Sequence, residues 1–184
     1  EGSAWVSVVG GTTAGPLSTS TCGPVESGGK SPDLLIVSDL PLQGELAGFA
    51  RPLVDAIRFV LRRHGFRAGS YAVGYQPCDD STAQAAGWNL VKCVSNARAH
   101  AAAKQVVAVI GPYNSGCAQW ELPITNRATN GPVPVISPSN SYAGLTRESR
   151  SNVRPEEPGS LYPTGVRHYF RVIADDEVQG VAAA

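Results

Sequence analysis

Two short polar stretches carry the chemistry of this chain, Gly111-Pro112-Tyr113-Asn114-Ser115-Gly116 and Ser137-Pro138-Ser139-Asn140-Ser141. They offer hydroxyls, side-chain amides and backbone N–H groups, all able to hydrogen-bond a small ligand and none a strong base or nucleophile at neutral pH. A serine nucleophile needs a base beside it, and His64, His100 and His168 are scattered over a helix end, a helix and a loop. The four cysteines, Cys22, Cys78, Cys93 and Cys117, share no CxxC or HxxxH spacing that would suit zinc or redox work. Asp39, Asp79 and Asp80 fall where strands end, the place for a catalytic or metal cluster, but aspartate serves equally well there as a turn or cap residue. The expectation is recognition without bond breaking: no enzyme, no metal and no cofactor. The first stretch also lacks the GxGxxG and GxxxxGK glycine patterns, which argues against a nucleotide.

Positioning these stretches requires a strand before each and a helix between them. Residues 106–110 form an apolar run that reads as a strand, 115–128 a helix, and 133–136 another strand. Upstream, 34–37 reads as a buried parallel strand ending in Ser38-Asp39, and 71–75 as a second, with Cys78-Asp79-Asp80-Ser81 as its closing loop. Leu46, Phe49, Leu53, Ile57, Val60 and Leu61 recur at three- and four-residue spacing as one helical face. Pro52 suggests that the regular helix begins near Arg51 or Pro52, and Arg62, Arg63, His64 and Gly65 make its end. A further helix falls between residues 83 and 103, with Gly87 weakening its first part and the alanines of 90–103 favouring the rest. Trp120 is expected in the core, and Trp88, Phe49 and Tyr113 are either core or pocket lining. Residues 148–165, with three prolines, read as a long surface loop, 169–173 as a strand, and 176–184 as a helix start that runs out on three alanines, as an interrupted chain would. The β-α alternation predicts an α/β three-layer domain with a parallel sheet and helices on both faces. Residues 1–32, rich in Gly, Ser, Thr and Pro, form an amino-terminal extension in which 4–9 could be an edge strand; residues 33–184 form the domain.

In such sheets ligands bind in the crevice beyond the carboxyl ends of the strands, where both polar stretches emerge. The amino end of the helix at Asn114, Ser115 and Gly116 favours a carboxylate or phosphate. Fifteen basic and fifteen acidic residues balance, which leaves no electrostatic footprint for nucleic acid or an anionic membrane. No apolar run is long enough to span a bilayer. An even cysteine count without metal spacing favours two disulfides, and with them an extracytoplasmic, periplasmic or cell-surface location, a lipid anchor through a removed signal being compatible with it.

Ser38-Asp39-Leu40-Pro41-Leu42-Gln43-Gly44, the Val109-Ile110-Gly111…Ser115 turn, Val135-Ile136-Ser137-Pro138…Leu145-Thr146 and Arg171-Val172…Asp176…Gln179-Gly180 occur in one order. Together they resemble the amino-terminal lobe of type I periplasmic solute-binding proteins, in particular the branched-chain amino acid binding proteins of ABC importers. The resemblance covers residue 33 to the end. It implies two α/β lobes closing on an amino acid and a membrane permease as partner, with the second lobe, which supplies an acidic contact to the ligand's amine, absent from this chain. Residue by residue, it implies that Ser115 and the loop residues Ser139 and Ser141 hold the carboxylate. The long segments 147–165 and 78–93 and the extension with Cys22 depart from that family and put the ligand's identity in doubt. The alternative is the ligand-sensing lobe of a receptor or of a sugar-responsive repressor, of the same architecture. With strand order 2-1-3-4, right-handed crossovers place the second and third helices side by side. That favours Cys93–Cys117, with Cys22–Cys78 clasping the extension to the sheet edge, over a Cys78–Cys93 staple.

Overall fold

The computed structural model describes residues 15–17 and 21–184, so the stretch 4–9 lies outside the described residues. The sheet is built from β1 (Leu34–Leu40), β2 (Arg67–Ala68), β3 (Tyr71–Asp79), β4 (Val106–Ile110), β5 (Val135–Ser137) and β6 (Tyr169–Arg171) in the order β2-β3-β1-β4-β5-β6. All neighbours are parallel except the two-residue β2, which pairs antiparallel with the start of β3. The order of the four strands read from the sequence is thus the observed one. Helices α1 (Ala47–Arg63), α2 (Leu90–Ala102), α3 (Ser115–Thr125) and α4 (Asp176–Ala183) complete the fold.

Alternation along β1 sorts the two faces. Leu35 and Val37 enter one core with Val109, Ala118, Leu122 and Val135, on the α2 and α3 side, while Leu40 enters a second core with Ala50, Val54, Phe66 and Tyr75 of the α1 side. The same period puts Asp39 on the α2 and α3 face, where it accepts from Asn96 Nδ2 at 2.6 Å. Ser38 faces the other way and meets the Tyr75 hydroxyl at 2.7 Å.

Several elements differ from the sequence reading, each for a local reason. The α1 helix starts at Ala47, not near Arg51, because the Phe49 and Ala50 N–H groups already bond to the Leu46 carbonyl. Pro52 stands inside the helix on the solvent side, where the Gly48 carbonyl it leaves unpaired faces water. The buried stripe is Ala50 and Val54 with Leu53, Ile57 and Leu61 beside them, whereas Phe49 and Val60 point outward. The helix ends as expected: the Gly65 N–H reaches the Arg62 carbonyl and Gly65 takes φ +60°. The α3 helix stops at Thr125, three residues short of the expected end. Strands β1 and β3 run longer than the apolar runs that mark them. β3 continues to Asp79 between two partners, β1 in parallel register on one side and residues 21–26 antiparallel along its outer edge, through Tyr75 N to Glu26 O at 2.9 Å and Gly23 N to Pro77 O at 2.8 Å. That segment covers an edge that would otherwise expose unpaired backbone groups, and Cys22 bonds Cys78 at its head. Cys93 bonds Cys117 across the α2 and α3 pair. Residues 148–165 form a loop, but not a purely surface one: Glu157, Leu161 and Tyr162 are buried, and the Tyr162 hydroxyl donates to the Leu145 carbonyl at 2.5 Å. Trp120 is not core; it is 42% exposed with the Arg154 guanidinium 5.4 Å from its ring centroid.

Candidate functional site

The loops that follow β4 and β5 lie side by side at the carboxyl edge and are stitched to each other. Ser137 Oγ donates to the Pro112 carbonyl at 2.8 Å, and Ser139 Oγ to that of Tyr113 at 2.6 Å. Asn140, fully buried, is the bracket between them. Its amide Nδ2 donates to Pro112 O at 3.1 Å and Tyr113 O at 2.9 Å, while its Oδ1 accepts from the Tyr169 hydroxyl at 3.1 Å. Arg171 closes the far side, donating to the Tyr142 carbonyl at 2.8 Å and to Thr146 Oγ1. In the sequence Asn140 reads as a polar loop residue and its structural weight is missed; Arg171 enters only through the resemblance, with no sign of its hydrogen bonds, and Tyr142 carries no local signal.

Within this frame the five predicted ligand residues separate. Asn114 is the N-cap residue of α3, yet its side chain does not cap; its Oδ1 is buried without a partner among the described residues. Ser115 opens the helix, and its Oγ accepts the Tyr142 N–H at 3.3 Å, which leaves the serine proton free to donate outward. The Cys117 and Ala118 N–H groups bond to the Asn114 carbonyl, whereas those of Ser115 and Gly116 are first-turn donors with no partner inside the helix. Gly116 is held close to the Trp88 indole: a Cβ there would meet Trp88 Cζ2 at 2.6 Å, so a larger residue does not fit. Ser139 spends its hydroxyl proton on Tyr113, and Ser141 spends its carbonyl on the Asp176 N–H at 2.7 Å. Ser115, Ser139 and Ser141 are all half-buried. The ledge therefore offers a hydroxyl proton, two helix-end N–H groups and the Ser141 side chain to an anionic group, and nothing that could take a proton from a substrate.

At the other half of the same edge the aspartates gather, and they are more than the turn residues that their place after strands suggests. Asp79 accepts from Leu42 N at 2.8 Å, Ser81 N at 3.1 Å and Lys92 Nζ at 2.8 Å, with Gln43 Nε2 as a further donor. Burial pushes its carboxyl up, but the Lys92 and Gln43 contacts outweigh that and hold it below the ordinary value. It ties the loop after β1 to the end of β3. Asp39 and Asp80 lie beneath the surface and are inaccessible to a ligand at this edge. The histidines do not converge: His100 is buried against Glu121, while His168 is held between Thr125 Oγ1 and Asn126 Nδ2, each at 3.0 Å. Two surface hollows lie away from the edge, along Leu90, Val91, Val94, Ser95 and Arg98 of α2, and beside Glu148, Arg150, Asn152 and Glu157. Neither presents the convergent donors that the ledge does.

No protein-family model and no curated protein matches the sequence. Solved structures do. A leucine-binding protein from Thermotoga maritima superposes with a TM-score of 0.59 at 19% identity, over 82% of this chain and 35% of its own. The branched-chain amino acid transporter substrate-binding protein LivJ from Streptococcus pneumoniae, in complex with isoleucine, gives 0.57 at 18% identity over 78% of this chain and 34% of its own. A putative branched-chain amino acid ABC transporter protein from Rhodospirillum rubrum gives 0.57 at 22% identity over 82% and 36%. The chain thus spans little more than a third of the length of the structures it matches. No described helix is long and apolar enough to cross a membrane.

Proposed function

We propose that this chain, which has the fold of one lobe of the type I periplasmic binding proteins, is the amino-terminal ligand-binding lobe of an extracytoplasmic solute-binding component of an ABC importer, and that its ligand is an amino acid. The ledge at Ser115 carries this reading: a free hydroxyl proton and two helix-end N–H groups form a seat for a carboxylate, and the donors there are fixed in place by Asn140 and Tyr142 before any ligand arrives. Ser141 and the backbone at Ser139 complete the seat. The protein acts by binding, without catalysis, and hands its ligand to a membrane permease. The neighbours named for leucine and isoleucine support an apolar amino acid, and the two disulfides support an oxidising compartment, where a cytoplasmic repressor lobe would not keep them. Because one lobe contacts one side of an amino acid, a second lobe supplies the partner for the amine.

The test is calorimetry on the full-length protein with leucine, isoleucine and valine. Charge-assisted hydrogen bonds are worth about 1.5–3 kcal/mol each, so Ser115→Ala should weaken binding roughly ten- to a hundredfold. Unchanged affinity in that variant removes Ser115 from the seat, and no binding of any amino acid by the parent protein overturns the reading.

A further inference from the structure

Directly under the ends of β1 and β3, three carboxyl groups share one buried pocket. Asp39 comes from β1, Asp80 from the residue after β3, and Glu121 from α3, and all three are fully buried. Of their six oxygens only Asp39 Oδ1 has a partner, the Asn96 amide; Asp39 Oδ2 and both oxygens of Asp80 and Glu121 have none among the described residues. His100 of α2 adds a second anomaly. It is fully buried, both of its ring nitrogens lack a partner, and Nδ1 stands 3.6 Å from Glu121 Oε1.

An ionised carboxylate buried without a donor costs several kcal/mol, so a pocket of this kind requires a cation or protons. Among the described residues, the charged groups facing it are few. From α2 come Lys92 and His100, from β3 Asp79, and from β6 Tyr169, which senses Glu121. Lys92 is spent on Asp79 and the Ser81 carbonyl. A bound divalent ion is disfavoured by the donor set: the ligand atoms within 4.8 Å of one another are those of Asp39, Glu121 and Cys117 in one group and of Asp80, Cys93 and Cys117 in another, and both cysteines are committed to their disulfide. Protons remain.

We infer that Asp39, Asp80 and Glu121 are a buried proton store, and that the packing of α2 and α3 on the sheet is a pH-responsive device, firm while the three carboxyl groups are protonated and loosened as they ionise. Burial, reinforced for Asp39 by the Glu121 charge and for Asp80 by that of Asp39, raises all three, Asp80 to about 9 and Glu121 to about 8. His100 is pushed the other way by burial, to about 3, and so stays neutral and lends no positive charge. The sign follows. A carboxyl group whose folded value lies above its unfolded one binds more protons in the folded state, so its contribution is whole below about pH 4 and is lost as pH rises through the folded value. Above the ordinary histidine value of 6.5 the buried histidines no longer oppose this, so folding stability should decline between about pH 6.5 and 9.

Melting of the full-length protein followed from pH 6 to 9.5 under non-reducing conditions is expected to show a fall of roughly 5 °C or more. Glu121→Gln and Asp80→Asn, which keep shape and remove the titration, should flatten that profile. Infrared difference spectra of the parent protein against Glu121→Gln at pH 7 should show the carbonyl stretch of a protonated carboxyl group, and this reading stands even if Asp80→Asn fails to fold. A parent profile flat across this range, or the absence of the protonated carboxyl signal, overturns the inference. A melting temperature raised by calcium or zinc and lowered again by a chelator would overturn it too, in favour of a metal ion. None of these readouts depends on amino acid binding, so failure here leaves the proposed function standing, and the converse holds.

Discussion

The two halves of the carboxyl edge use polar residues in opposite ways. Between β4 and β5 the polar groups satisfy one another across the loops and leave a few donors over, facing out: the Ser115 proton and the first N–H groups of α3. Between β1 and β3, Asp39 and Asp80 face inward, and three of their four oxygens have no hydrogen-bond partner among the described residues. Both sets stand at strand ends, where a doubly wound sheet places its ligands. What separates the outward-facing ledge from an interior charge pocket is the direction of each side chain, and strand alternation decides it: Asp39 is one residue beyond Ser38 and therefore points to the opposite face.

The disulfides give the largest handle on this contrast, because each fastens a different region. Closing a loop of 56 residues, Cys22–Cys78 should contribute about 4 kcal/mol, and Cys93–Cys117, separated by 24, about 3 kcal/mol, on chain entropy. Replacing either pair by alanine should lower stability by those amounts in denaturant melts. Their effects on binding should differ. Cys117 sits in the first turn of α3 beside Ser115, so loss of Cys93–Cys117 should also weaken amino acid binding at temperatures where the protein stays folded, while loss of Cys22–Cys78 should not. Equal effects on binding would mean that the ledge and the distal edge are one rigid unit.

Asn140 comes next. Replacing it by alanine removes two donors and one acceptor from a buried position and strands the Tyr169 hydroxyl, a loss of about 2–4 kcal/mol. The variant should lose affinity along with stability, because the carbonyls it holds, those of Pro112 and Tyr113, fix the turn that aims α3. If the melting temperature falls while affinity is kept, the ledge is preformed by something other than Asn140.

The fold was legible because its strands are continuous apolar runs and its turns are marked by Gly, Pro and Ser in order; the strand order follows from crossover handedness. The ends of elements were less so. β3 reads as five residues from its apolar character, yet it continues to Asp79, where β1 pairs with it through Leu40 and residues 21–26 flank its outer edge, and no local window contains either partner. The position of Phe49 failed for a related reason: the inner face of α1 is centred on Ala50 and Val54, with Leu53, Ile57 and Leu61 at its margins, and Phe49 falls just outside that stripe. For the site, the loops could be named from their composition, but not which hydroxyl was already spent. That information lies in contacts such as Ser139 to Tyr113, set by the neighbouring strand. The buried acids were hidden by their own chemistry, since aspartate after a strand is ordinarily a turn residue on the surface.

Ser139→Ala tests that last distinction with the smallest expected effect. The hydroxyl donates to the Tyr113 carbonyl at 2.6 Å, so its removal should cost about 1 kcal/mol of stability, the net worth of one hydrogen bond. Its effect on affinity should be smaller than that of Ser115→Ala, because the Ser139 proton already serves the loop, whereas the Ser115 proton is the one left over. Combining the two substitutions makes the point quantitative. If Ser139 acts only by holding the turn on which Ser115 stands, the double variant binds little worse than Ser115→Ala alone; if both hydroxyls touch the ligand, the two losses add. Calorimetry on the single and double variants separates these outcomes, and additive losses would move Ser139 from the frame of the ledge into the carboxylate seat itself.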